Sequence, residues 1–222
     1  MTSGSQGGGE GGGQTGRGPR VTALVPDARL PGAVRIEVDG EPFATVAASA
    51  CEGLGVGTAL DEHARARLSA AADVEAAYRT ALRSLERRSF ARADLGRRLQ
   101  RKGHPREAVA AALERAAGAG LLDDAAFAVN YVETRSTRGR GPTRLARDLL
   151  AMGVERRLID RALAVQAAET GSQPVPLALA TRRAAQLGDL PRQVKRRRLL
   201  AFLARRGFSG IEVGEMVRKL VG

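Results

Sequence analysis

The side chains best equipped for chemistry in this chain are few and scattered. Asp123 and Asp124 are adjacent, Cys51 is the single cysteine, and His63 and His104 are the two histidines. Neighbouring carboxylates can share acid and base work, a thiolate can attack an electrophile, and imidazoles can hold a metal. Nothing nearby completes any of these sites. Two carboxylates just before an apolar-periodic segment are better explained as helix caps that complement the helix dipole. Cys51 has no intrachain partner for a disulfide and is expected to serve as a small hydrophobe. The histidines lie far apart in sequence, and there is no phosphate-binding glycine loop or nucleophile elbow. No catalytic residue, metal site or cofactor is expected.

Charge is the stronger signal. The chain has 36 Lys and Arg against 24 Asp and Glu, for a formal net charge of +12. Residues 74–122 carry 11 basic and 5 acidic side chains, residues 123–173 carry 8 and 7, and residues 174–222 carry 11 and 3. Such a distribution attracts a polyanion at the outer segments, and arginine's fork suits phosphate or carboxylate. The candidate contacts are Arg192, Lys195, Arg196, Arg197, Arg198 and Arg205 near the C-terminus, with Arg98, Arg101 and Lys102 as their first-segment counterpart. Arg138, Arg140 and Arg144 join them from the basic connection around residues 135–141 and the segment after it. A solvated, arginine-rich helix face is the alternative for about half of the arginines. Most of the few aromatics fall at core spacing, with Phe127 and Tyr131 four apart. Contact with a nucleic-acid backbone is therefore expected ahead of base stacking.

These charges must be positioned by helices, and the helices repeat. Counting from Gly103, Gly153 and Gly207, leucine stands eight before (Leu95, Leu145, Leu199) and four before (Leu99, Leu149, Leu203). An aliphatic residue stands six after (Val109, Ile159, Val213) and ten after (Leu113, Leu163, Val217). Leucines four apart share a helix face, and a glycine just past them suits the left-handed position that ends a helix. Each unit has room for a helix before this pair, expected near residues 74–87, 124–136 and 175–186. Ser209 with Glu212 has capping-box spacing, Pro105 suits a helix start, and Asp123 or Asp124 can cap the middle unit. The expected fold is mainly α: three tandem three-helix repeats, residues 74–122, 123–173 and 174–222, forming an elongated helical body.

The N-terminal third differs. Residues 1–20 hold almost nothing to bury and are expected to be a disordered tail. Residues 21–73 are expected to form a small β-hairpin and helical module. Val34, Ile36 and Val38 alternate with polar residues, Asp39-Gly40 is a favoured two-residue turn, and Phe43 to Val46 can return. Thr58 or Asp61 marks a helix start. Breaks are expected at residues 171–176 and 188–191. No run reaches the length of a membrane span, and the N-terminus lacks a signal-peptide pattern, so a cytoplasmic protein with no membrane partner is expected; a monomer is expected as well.

Three stretches together carry a resemblance. Residues 120–132, beginning Gly120-Leu121-Leu122-Asp123-Asp124 and ending Tyr131-Val132, resemble the middle of the RecX family, as does the run from Gly139-Arg140-Gly141-Pro142 through Leu149 to Gly153. Leu203-Ala204-Arg205-Arg206-Gly207-Phe208-Ser209 is similar to the same family's C-terminal signature. The resemblance spans about residues 74–222 and leaves the tail and hairpin outside. It implies tandem three-helix repeats and a bacterial modulator of the RecA recombinase in DNA repair and homologous recombination. Such a modulator binds RecA protein and RecA-DNA filaments and restrains ATP hydrolysis and strand exchange. It transfers no catalytic residue and no cofactor. A stand-alone, sequence-neutral DNA-binding protein is the alternative that the same charge allows.

Overall fold

The computed structural model of the chain describes residues 18–170 and 174–222. The expected tail therefore lies outside the described residues over 1–17, and so does the expected break over 171–173; the rest of that break, 174–176, is instead the first turn of a helix, whose start tolerates proline. Two units result, residues 1–75 and 76–222.

In the first unit, β1 (Val21–Pro26), β2 (Ala33–Val38) and β3 (Glu41–Ala47) form an antiparallel sheet in the order β1-β2-β3. The expected hairpin is its second half: Val38 pairs with Glu41 across Asp39-Gly40, whose φ angles of 51° and 84° fit a tight primed turn. Pro42 falls on β3, an edge strand, where a missing N–H is tolerated. Val21, Ile36 and Val46 bury against Leu60 and Leu68. The ordered module begins earlier than expected. The Pro19 carbonyl accepts from the Leu60 amide at 2.8 Å, and the Arg20 amide donates to Asp39 Oδ1 at 3.0 Å.

Of the two expected helix starts, Asp61 is the one used: its Oδ1 accepts from the Ala64 amide at 2.6 Å at the head of α1 (Glu62–Leu85). This helix runs unbroken through the boundary expected at residues 73/74. The local sequence explains why, since Ala70, Ala71, Ala72, Ala76 and Ala77 surround that point and no Gly or Pro interrupts them.

Eight further helices follow among the described residues: α2 (Arg92–Arg101), α3 (Arg106–Gly118), α4 (Asp124–Ser136), α5 (Pro142–Met152), α6 (Arg156–Thr170), α7 (Pro174–Gln186), α8 (Arg192–Arg206) and α9 (Ile211–Val221). The fold is mainly helical with a small antiparallel sheet, and the repeat positions explain its cores. All six repeat leucines, Leu95, Leu99, Leu145, Leu149, Leu199 and Leu203, are at most 1% exposed. Each such burial stabilises by about 2 kcal/mol. The three glycines take φ of 89°, 86° and 92°. In each repeat the residue after the glycine donates its amide to the second leucine's carbonyl: His104 to Leu99, Val154 to Leu149, and Phe208 to Leu203. These bonds satisfy the last carbonyls of α2, α5 and α8.

Two local expectations differ from the structure. The expected capping box at Ser209 and Glu212 does not form: Gly210, at φ 116°, occupies the cap of α9 without a side-chain bond. Pro105 occupies the cap of α3 and not its first turn.

Candidate partner-binding surface

The second helices of the three repeats join end to end. The carbonyl of Arg206, at the end of α8, accepts from the Gly141 amide at 2.7 Å, and that of Gly207 accepts from the Thr143 amide at 3.3 Å. A Cβ on Gly141 would collide with the Gly207 backbone. The C-terminus of α8 thus abuts the N-terminus of α5, and opposite ends of two helix dipoles meet. One repeat earlier the pattern recurs with different chemistry. A Cβ on Gly153, at the end of α5, would lie 2.5 Å from that of Ala93 in the first turn of α2, and Arg97 donates to the Ala151 carbonyl at 3.0 Å.

The adjacent carboxylates cap two different helices. Asp123 Oδ1 accepts from the amides of Ala125 and Ala126 at 2.8 and 2.9 Å, closing its own helix, α4. Asp124 Oδ1 instead accepts from the Arg92 amide at 2.7 Å, at the start of α2. One oxygen of each carboxylate is thus taken up by amides at a helix start, as caps require.

The same geometry sorts the candidate cations. In the middle repeat, Arg140 and Arg144 converge on Asp148 at 2.8 and 3.1 Å, with the Tyr131 hydroxyl donating to the same carboxylate at 3.5 Å. Arg156 and Arg157 also pair, with Asp160 and Glu155. Arg138 stands exposed in the connection before α5. The third repeat is different. Arg192, Arg196, Arg197, Arg198 and Arg205 are exposed and Lys195 is half-buried along α8, and among the described residues their side chains make no ion pair. Arg206, on the other hand, lies 5.0 Å from the Phe202 ring centroid and 3.5 Å from the Gly139 carbonyl.

In the first repeat, Arg101 is exposed, whereas Arg98 and Lys102 line a cavity of about 300 Å³ with Arg83, Ser84, Arg87, Arg88 and Phe90. None of the other sequence-predicted contacts lines it. The sequence reading missed Arg83, Arg87 and Arg88. Their signal was the excess charge of residues 74–122 and the i, i+4 spacing of Arg83 and Arg87.

Among the described residues no group of three or more His, Cys, Asp or Glu side chains could hold a metal, and no helix is long and apolar enough to cross a membrane. Burial pushes the Cys51 thiol above its ordinary range, which lowers its thiolate fraction. His104 Nε2 lies 3.0 Å from Thr80 Oγ1.

Models of the RecX second and first three-helix domains match residues 123–163 and 77–115, the middle and first repeats. A "Regulatory protein RecX" from Mycobacterium ulcerans (strain Agy99) is 37% identical over 146 residues, covering 64% of this chain and 83% of that protein. The chain belongs to the RecX family. The RecX protein of Pseudomonas entomophila (strain L48) is 33% identical over 151 residues, 68% of this chain and 96% of the relative. A crystal structure of regulatory protein RecX superposes with a TM-score of 0.75 at 26% identity, covering 90% of this chain and 99% of that one. These RecX relatives are regulatory proteins by name, and no enzymatic family is indicated.

Proposed function

We propose that this chain binds the RecA recombinase and its DNA filaments and restrains ATP hydrolysis and strand exchange without chemistry of its own. The observation that carries this reading is the contrast between repeats. The middle repeat pairs Arg140, Arg144, Arg156 and Arg157 with its own carboxylates, while among the described residues the cations of α8 make no ion pair. A relay of small repeats joined through close contacts at their helix ends can touch more than one subunit of a polymer, so weak contacts add by proximity.

Inhibition follows from differential binding. A protein that prefers a low-activity filament state shifts the population toward that state by the difference in its two affinities. The contacts are assigned to Arg192, Lys195, Arg196, Arg197, Arg198 and Arg205, with Arg98, Arg101, Lys102 and Arg138 supporting them. Arg140 and Arg144 act as internal struts. The protein acts as a cytoplasmic monomer.

The test is a titration of the chain into RecA that is exchanging strands between single-stranded and homologous duplex DNA. Loss of exchange at substoichiometric to equimolar levels supports the proposal. Undiminished exchange with tight binding to naked DNA favours the stand-alone DNA-binding alternative.

A further inference from the structure

The geometry points to the basic cavity of the first repeat as a phosphate-binding site that seats the backbone of a nucleic acid. The cavity forms between the end of α1 and the second half of α2, where Arg83, Arg87, Arg88, Arg98 and Lys102 line it together with Ser84 and Phe90. Cations belong at helix C-termini, where they complement the dipole, and this explains why the sequence places Arg83 and Arg98 there. The local acceptors of the cavity's cations are neutral and few: Arg83 donates to Thr80 Oγ1 at 3.2 Å and Arg88 to the Ser89 carbonyl at 3.2 Å. Asp94 is 3.8 Å from Arg88 and 3.4 Å from Arg97, and no carboxylate lines the cavity. The Arg98 Nε is buried without a hydrogen-bond partner. A buried donor of this kind costs free energy until an acceptor arrives, and a charged oxygen is the strongest acceptor available to it.

The aromatic ring in the cavity narrows the ligand class. Phe90 is 4% exposed, and the Arg88 guanidinium lies 3.6 Å from its centroid, with that of Arg98 at 5.7 Å. The ring therefore holds the two guanidinium groups in place and has no free face for a base. What remains is a preorganised set of donors for oxyanions. A nucleic-acid strand carries its charges on the chain itself at regular spacing. One phosphate can enter while its neighbours meet the exposed Arg87 and Lys102 at the rim.

The experiment follows fluorescence anisotropy of a labelled twenty-nucleotide oligo-dT titrated with the full chain, comparing the parent with the double variant Arg87→Gln, Lys102→Gln. Both side chains are exposed, and unchanged helical circular dichroism checks the fold. The variant should bind about tenfold more weakly near 0.1 M salt, and its log–log salt slope should be shallower by about 1.4, the loss of two single-strand contacts. Oligo-dA should bind like oligo-dT. Inorganic phosphate should compete beyond chloride at equal ionic strength, but only at far higher concentration than unlabelled oligonucleotide. Equal affinity and slope for parent and variant would overturn the assignment. So would a strong preference between the two oligonucleotides, inorganic phosphate competing as well as the oligonucleotide, or poly-glutamate displacing the probe as well as unlabelled oligo-dT, which would identify an acidic peptide site. RecA is absent from the assay, so its outcome is separate from that of the proposed function.

Discussion

Gly207 presses its α-carbon against Arg144: a Cβ placed there would lie 2.5 Å from both the Cβ and the amide nitrogen of Arg144. The same glycine is held at φ 92°, so it satisfies two demands together, a left-handed helix end and a backbone-close junction between repeats. Gly103 occupies the equivalent position of the first repeat at φ 89°, and a Cβ there meets nothing within 4 Å.

This difference separates backbone strain from packing. Gly103→Ala should cost about 1 kcal/mol, the left-handed penalty alone. Gly207→Ala should cost about 2 to 4 kcal/mol, because the obstructing atoms belong to backbone and Cβ, which cannot swing aside. Gly153→Val should also exceed the strain term, since Ala93 stands in the way. Chemical denaturation of the three variants measures the order. Equal losses would mean that the junctions yield and do not brace the repeats.

Asp123→Ala and Asp124→Ala should each destabilise by about 1 kcal/mol, through different helices. Hydrogen exchange resolves them: loss of Asp123 should raise exchange at Ala125 and Ala126, and loss of Asp124 should raise it at Arg92. Faster exchange at the same amides in both variants would contradict the division of labour.

Asp148→Ala should cost about 2 to 3 kcal/mol, because it leaves Arg140 and Arg144 facing each other without their shared carboxylate. Adding Arg140→Ala to that variant should recover part of the loss. A double-mutant cycle by thermal unfolding gives the coupling, and a value near zero would show that the pair is only a surface contact.

The repeat was legible in the sequence because its determinants are local. Leu145, Leu149 and Gly153 lie within one helix and its turn, and spacing alone places the leucines inside and the glycine at the end. The junctions were not legible. Gly141 and Gly207 belong to different repeats, and nothing in either's neighbourhood announces the other. Asp124 looked like a cap for the helix it begins, yet it reaches back to Arg92. Only one strand pair was explicit, because Val34, Ile36 and Val38 alternate while the Val21–Pro26 segment does so less regularly. The basic surface was legible as charge and illegible as geometry: counting cannot distinguish Arg144, tied to Asp148, from Arg196, exposed on α8. Nor could it show that Arg98 faces a cavity with residues from the end of α1.

If the cations of α8 deliver inhibition to RecA, ATP hydrolysis by RecA on single-stranded DNA reports their loss. Three proteins are titrated at several salt concentrations: the parent, the variant Lys195→Glu, Arg196→Glu, Arg198→Glu, and the middle-repeat variant Arg147→Glu, Arg161→Glu, which changes one exposed arginine on α5 and one on α6. The parent should suppress turnover at substoichiometric to equimolar levels. The α8 variant should fold normally, require about tenfold or more protein for the same effect, and show a shallower salt dependence. The middle-repeat variant should stay closer to the parent. Turnover unaffected by the parent, or suppressed equally by a folded α8 variant at every salt concentration, would contradict the account.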